Sequence, residues 1–168
     1  MYTDEFLEII DEFINNKKVL SMKDYIQHCD VNCFDHCLDV ANTSYRVAKK
    51  LKLDYVSVTR AAMVHDMFLY DWHQKENRHS GHAYKHPKIA CMNALTEFKL
   101  SDKELDMMEK HMWPIAKGLP SSKEGFVLTF VDKYCTLKEE LVFIYRHMRS
   151  KQFIKYAVFV FNLLFVRI

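Results

Sequence analysis

Apolar residues recur every three or four positions through the first fifty residues, a spacing typical of amphipathic helices. Thr3 stands where it can cap a first helix over residues 3–16. A second helix is expected to begin near Asn32 or Phe34 and to continue to about Leu51. The apolar face of the first helix comprises Phe6, Ile9, Ile10, Phe13 and Ile14.

The middle of the chain predicts two further helices separated by a loop. A third helix is expected from about Asp54 to Phe68, where the sequence is rich in alanine and other apolar residues. Residues 70–85 lose the helical period and are expected to form a loop. Pro87 suits the first turn of a fourth helix that runs to about Phe98.

Two Ser-x-x-Glu patterns predict the starts of two more helices, because serine and glutamate at this spacing can form a capping box. The first pattern is expected to open a fifth helix that ends near Met112. The second is expected to open a long helix that continues towards Met148. The two patterns are Ser101 with Glu104 and Ser121 with Glu124.

The C-terminal segment, residues 153–168, is rich in valine and phenylalanine. We expect a last helix here, with an edge strand as the alternative. Its expected role is packing on the core or contact with a second copy in a homodimer. Its longest uninterrupted apolar stretch is residues 157–161, whereas a membrane span requires roughly 20 residues. We therefore expect no association with a membrane.

Composition favours an all-α fold, a single helical bundle of about six to eight helices that spans residues 1–168. Three glycines and three prolines are too few for the many tight turns of a sandwich or barrel. A net charge of +2 does not indicate nucleic-acid binding. Five cysteines at irregular spacing, after an acidic N-terminus, predict reduced thiols and a cytoplasmic location.

Ionisable residues interrupt the apolar faces of four of the predicted helices. A bare carboxylate costs several kcal/mol or more to bury unless it is paired or bound to a metal. Each residue taken alone has an ordinary structural explanation, such as a hydrogen-bonded core histidine. One shared cation would explain all of them, because imidazole and carboxylate groups bind transition metals. The residues are His36, His65, Asp66, His111 and Asp132.

The order of these residues resembles the HD superfamily of metal-dependent phosphohydrolases. Its core pattern is a histidine, a later His-Asp pair and a distal aspartate on a helical scaffold. The resemblance spans about residues 30–140 and is nearest to small, single-domain bacterial members. It implies four metal ligands in this chain, His36, His65, Asp66 and Asp132.

In dinuclear members of that superfamily, two further histidines bind a second metal and the aspartate of the His-Asp pair bridges the two ions. His86 and His111 stand where those ligands would be. The resemblance therefore implies two divalent transition-metal ions per chain, and the donor types permit Mn, Fe, Co, Ni or Zn. In the mononuclear alternative, His86 and His111 lie near the substrate instead.

The expected function is hydrolysis of a small phosphate ester, such as a nucleotide or a related metabolite, by water that the metal activates. Asp66 would orient the attacking hydroxide. The segment 73–88 carries four lysine or arginine residues and one glutamate, so we expect it to contact the phosphate. Within it, Lys85 and His82 are the preferred candidates for catalysis.

Two other functions stay open on the sequence. Some HD-fold proteins are diiron oxygenases, and their set of four histidines and two aspartates is present here. A non-catalytic metal-binding interaction domain is the third hypothesis. The chain also departs from the HD enzymes that cleave cyclic dinucleotides, because Phe68 and Leu69 occupy the places of their glycine and lysine.

Overall fold

The structure is a computed structural model that describes residues 2–74, residues 81–148 and Lys155. Apart from Lys155, the expected helix or strand over 153–168 lies outside the described residues. The same holds for three basic residues of the segment 73–88, namely Lys75, Arg78 and His79.

The all-α prediction is confirmed, since the described residues form seven α-helices and one small hairpin. The hairpin pairs two short antiparallel strands, β1 (Ile26–His28) and β2 (Val31–Asn32), and a turn of 3-10 helix at Ser21–Asp24 precedes it. The helices are α1 (Asp4–Ile14), α2 (Lys17–Leu20), α3 (Cys33–Lys50), α4 (Tyr55–Val64), α5 (His82–Leu95), α6 (Asp102–Lys110) and α7 (Lys123–Met148).

Side-chain caps define the starts of three helices, and the sequence predicted two of these caps, at Thr3 and at Ser101. The Thr3 hydroxyl accepts a hydrogen bond from the amide of Phe6 at the start of α1. The side chain of Asn32 accepts from the amide of Asp35 in α3. At α6, Ser101 and Glu104 form both bonds of a capping box.

The predicted capping box of α7 is wrong. The Ser121 amide and hydroxyl donate to the carboxylate of Asp106, so this serine joins α6 to the start of α7. The Ser122 hydroxyl accepts from the amide of Gly125 and takes the capping position instead. Glu124 is buried, and its carboxylate accepts a hydrogen bond from the backbone amide of Asp54.

The expected loop over residues 70–85 is too long, because α5 begins at His82 rather than near Pro87. Pro87 lies inside α5, where its missing amide hydrogen leaves no bond to the carbonyl four residues earlier. Gly81 precedes the helix with a φ of 109°, a conformation that favours glycine. The third helix, in turn, ends at Val64, four residues earlier than expected.

The core lies between α3, α4 and α7, with α1 and α6 packed against α4, and α5 packed against α6. The first helix contributes Phe6, Ile10 and Phe13, all fully buried on one face. Among the described residues, no helix is both long and apolar enough to cross a membrane. This packing brings the ends of several helices close together in the interior of the protein.

Glu104 of α6 joins the start of its own helix to α4. Its Oε1 accepts from Arg60 Nε at 2.7 Å, and its Oε2 accepts from the Ser101 amide at 2.7 Å. The Ser101 hydroxyl also donates to Oε2, so replacing buried Glu104 with alanine removes three hydrogen bonds, and we expect a loss of about 3 kcal/mol in the free energy of unfolding. Urea unfolding measures this change. The exposed Glu109 of the same helix gives a matched control, Glu109→Ala, and an equal loss in the control would contradict the assignment.

Candidate metal centre

The six histidines and aspartates that the resemblance implies converge on one buried point. His36 lies one turn inside α3 and Asp132 lies in the middle of α7. His65 and Asp66 follow the last residue of α4 directly, and His111 follows the last residue of α6. The sixth residue, His86, lies in the second turn of α5. All six side chains are buried.

The first group of donors comprises His36, His65, Asp66 and Asp132, and each offers an atom within 4.8 Å of the others. His36 Nε2 lies 3.2 Å from Asp132 Oδ1. His65 Nε2 lies 3.3 Å from Asp66 Oδ2 and 3.6 Å from Asp132 Oδ1. Two imidazoles and two carboxylates in this arrangement can hold a metal ion.

The second group comprises Asp66, His86 and His111. Asp66 Oδ1 lies 3.0 Å from His86 Nε2 and 3.5 Å from His111 Nε2. The two carboxylate oxygens of Asp66 therefore face different groups, with Oδ2 towards the first and Oδ1 towards the second. This arrangement allows one aspartate to serve two neighbouring cations.

The outer nitrogen of each imidazole has an acceptor that fixes the orientation of the ring. The backbone carbonyls of Ala62, His82 and Met108 accept from Nδ1 of His65, His86 and His111 respectively. The carboxylate of Glu139 accepts from Nδ1 of His36 at 2.9 Å. A neutral imidazole carries one hydrogen, so in its neutral form each ring would keep that hydrogen on Nδ1 and offer the lone pair of Nε2 to a metal.

Among the residues that the structure describes, two buried side-chain atoms of the centre have no hydrogen-bond partner, His65 Nε2 and Asp66 Oδ1. In addition, the Nε2 atoms of His86 and His111 face each other at 3.0 Å. Unsatisfied buried acceptors are rare in folded proteins, and a cation would satisfy all of them together. The donor set therefore fits a divalent metal.

Without a metal, protons on the histidines balance the buried carboxylates. Burial opposes a charge on His36, but its bonds to Asp132 and Glu139 outweigh this and raise its pKa to about 10. Burial likewise opposes a charge on His65, whereas the carboxylate of Asp66 raises its pKa well above the usual value. Burial lowers the pKa of His111 to about 4. Two of these imidazoles are therefore charged at neutral pH and His111 is neutral.

The carboxylates show the opposite shift. Burial alone would raise the pKa of Asp66 and Asp132, but neighbouring imidazoles reverse the effect. The charge of His65 holds the pKa of Asp66 well below its usual value. The hydrogen bond from His36 and the nearby charge of His65 do the same for Asp132. Both aspartates are thus ionised and able to bind a cation.

Glu139 and Gln27 also belong to the centre, and the sequence reasoning missed both. Glu139 follows Asp132 by seven residues, which is two turns of α7, so helical spacing was a signal for it. Gln27 lies in β1 and donates to Asp66 Oδ2. No local signal pointed to Gln27, because a hairpin far from α4 in the sequence brings it there.

A cavity of about 480 Å³ opens beside the donor cluster, and Asp66, His86, His111 and Asp132 form part of its wall. His82 also lines this cavity, as the sequence predicted for a residue near the substrate. Its ring stacks on Trp72 with centroids 5.0 Å apart, and burial lowers its pKa to about 4, so His82 is neutral at pH 7.

The structure does not bring Lys85 to the cavity. In α5, His82 and His86 are four residues apart and share the inner face of the helix, whereas Lys85 is exposed. Lys133 of α7 lines the cavity instead. Among the described residues, the lysine that lines the cavity is therefore Lys133, which directly follows Asp132, and not Lys85.

Comparison of the chain with protein-family models, curated proteins and solved structures found no match. The HD resemblance therefore depends on the pattern of histidines and aspartates and on the residues around them in the sequence.

Proposed function

We propose that this protein is a metal-dependent phosphohydrolase of the HD superfamily that acts on a small phosphate ester. The observation that supports this best is the sharing of Asp66 between two groups of buried donors, each oriented for a cation. A pair of adjacent divalent ions is suited to phosphoryl transfer, because the ions can hold the attacking and the leaving oxygen together. The proposed cofactor is accordingly two transition-metal ions per chain.

Six residues would hold the ions, His36, His65, Asp66 and Asp132 at one site and Asp66, His86 and His111 at the other. Bound there, a divalent metal lowers the pKa of water and so supplies hydroxide near neutral pH. The residues of the chain contribute orientation and charge. Glu139 holds the ring of His36, and Gln27 holds one oxygen of Asp66, so both ligands are fixed before substrate arrives.

Elemental analysis of untagged protein, purified without chelator, tests the metal centre directly. We expect two transition-metal ions per chain and hydrolysis of phosphate esters by the loaded protein. One ion per chain would reject the dinuclear form and place His86 and His111 beside the substrate. No bound metal, even after reconstitution with Mn²⁺, Fe²⁺ or Zn²⁺, would contradict the proposal as a whole.

A second candidate function uses the same donors. Four histidines and two aspartates are also the ligand set of the HD-fold diiron oxygenases, and the site provides this set in full. Two irons per chain, an oxygen-dependent optical change and no turnover of phosphate esters would favour the oxygenase over the hydrolase. Metal binding without either reaction would favour the interaction domain.

A further inference from the structure

The outer wall of the cavity is apolar, although its inner end holds the histidines and aspartates. Four large apolar side chains, Trp72, Met112, Ile115 and Leu137, line the cavity. Ile115 and Leu137 are 54% and 55% exposed, so the cavity mouth presents two large aliphatic side chains to water. Such a lining gains free energy when an apolar ligand covers it.

One face of α7 connects the inner end of the cavity to this apolar mouth. Asp132 faces the donor cluster, and Lys133, Thr136 and Leu137 follow along the same wall. Because the helix rises 1.5 Å per residue, the lysine lies between the metal ligand and the aliphatic side chain. A ligand along α7 would therefore meet the cations first, then Lys133, then Leu137.

Two backbone carbonyls fix the position of the Lys133 ammonium group at the cavity wall. This group donates to the backbone carbonyl of His111 at 3.0 Å and to that of Thr129 at 3.3 Å. An ammonium group has three hydrogens, so one remains for an oxygen in the cavity. Among the described residues that line the cavity, Lys133 is the only lysine or arginine, and the acidic Glu140 lies in the same wall.

We propose that the cavity selects a phosphate monoester with an apolar or aromatic organic group, in which Lys133 contacts the phosphate and Leu137 the organic group. A single phosphate fits one lysine, and a ring or alkyl group fits the mouth between Trp72, Ile115 and Leu137. This inference rests on the proposed function, since it assigns the substrate class of the same site.

Binding of phenylphosphonate and of inorganic phosphate to the Mn²⁺-loaded protein, measured by calorimetry, tests the substrate class without any turnover. We expect phenylphosphonate to bind at least about tenfold more tightly, because its ring leaves water at the apolar mouth. Equal affinities for the two probes would overturn the inference.

Two variants assign the roles of the side chains. Lys133→Met keeps the length of the side chain and removes its charge, so we expect both probes to bind about tenfold more weakly. Leu137→Asn places a polar group at the mouth, so the preference for phenylphosphonate is expected to fall below about threefold. Leu137 is exposed, which makes this variant safe for folding even if Lys133→Met proves unstable.

The same helix offers matched controls. Lys138 is bonded to Asp39 on the surface, and Leu141 is exposed one turn beyond Leu137. Neither residue lines the cavity, so Lys138→Met and Leu141→Asn are expected to bind both probes as the unmodified protein does. Losses in these controls equal to those in the cavity variants would overturn the assignment.

Hydrolysis of phenyl phosphate, measured separately, distinguishes this inference from the proposed function. Preferential binding of phenylphosphonate with no hydrolysis of any phosphate ester would reject the hydrolase and still support the ligand class. Hydrolysis of phosphate esters without a binding preference would overturn the ligand class alone.

Discussion

Replacing Asp66 with alanine is expected to remove metal binding and ester hydrolysis together. Asp66 is the one residue common to both donor groups, and its two oxygens face different sets of imidazoles. Without it the first group keeps one carboxylate and the second keeps none. We expect a fall in kcat/KM of at least about a thousandfold, because the ions that stabilise the reacting phosphate are lost.

The same variant also changes stability in the metal-free protein. The carboxylate of Asp66 accepts from Gln27 and raises the pKa of His65, so its removal leaves a buried amide and a buried imidazolium without their partner. Removing one member of a buried charge pair costs about 3–5 kcal/mol. Denaturant unfolding in the presence of chelator measures this cost, while Asp66→Asn retains the shape of the side chain if the alanine variant does not fold.

Asp39 offers the control for this experiment. It lies on the surface of α3 and pairs with Lys138 at 2.8 Å, so Asp39→Ala removes a paired carboxylate far less buried than Asp66. We expect a change of less than about 1 kcal/mol and no loss of metal. Full hydrolysis by Asp66→Ala, or equal metal loss in Asp39→Ala, would reject the proposed mechanism.

Metal affinity is expected to rise steeply with pH. In the metal-free centre His36 and His65 are protonated at pH 7, since the pKa of His36 is about 10 and that of His65 is raised well above its usual value. A metal binds the lone pair of Nε2, so both protons must leave. Binding should release about two protons per chain, which makes the affinity rise about a hundredfold for each pH unit near neutrality.

The sign of this pH dependence follows from competition between protons and metal ions. Protons and metals compete for the same nitrogens, so the metal is lost as the pH falls and gained as the pH rises. His111, whose pKa is lowered to about 4, is already neutral and releases no proton near pH 7. Calorimetric titration with Mn²⁺ in buffers of different ionisation enthalpy counts the protons released. An affinity that does not change between pH 6 and pH 8 would contradict the prediction.

A substitution at Glu139 tests the predicted number of protons that are released when the metal binds. Its carboxylate accepts from His36 Nδ1 and helps to raise the pKa of that imidazole. Glu139→Gln keeps an acceptor but removes the charge, so His36 holds its proton less tightly. The number of protons released near pH 8 should then fall towards about one. Glu109→Gln, on the exposed side of α6, is expected to leave the count unchanged.

Several features of the fold follow from residues close together in the sequence. Thr3 and the pair Ser101 and Glu104 form the expected caps, because a cap satisfies amides within one turn of the same residue. Ser121 shows where such reasoning fails. Its hydroxyl has a partner in Asp106, fifteen residues away, and that contact replaces the local cap.

Some residues of the candidate centre could likewise be predicted from the sequence, and others could not. Ionisable residues such as His36, His65 and Asp132 interrupt apolar faces, so the sequence indicated that they would be buried and need partners. It indicated Lys85 as the phosphate-binding lysine, whereas helix α5 turns this residue to the solvent. Glu139 and Lys133 lie within two turns of Asp132 in α7, and the packing of α7 against α3 brings Glu139 to His36, while Lys133 lines the cavity.

The sequence by itself determined the helical class, several of the helix starts and five of the six buried histidines and aspartates, whereas His86 was named only through the family resemblance. These depend on periodicity, on caps and on the cost of burying charge, all of which act locally. Only the tertiary structure decided that Asp66 joins two donor groups, that Gln27 orients it, and that an apolar mouth adjoins Lys133. Contacts between residues as distant as His36 and Glu139 are set by how whole helices pack, and no local pattern encodes that packing.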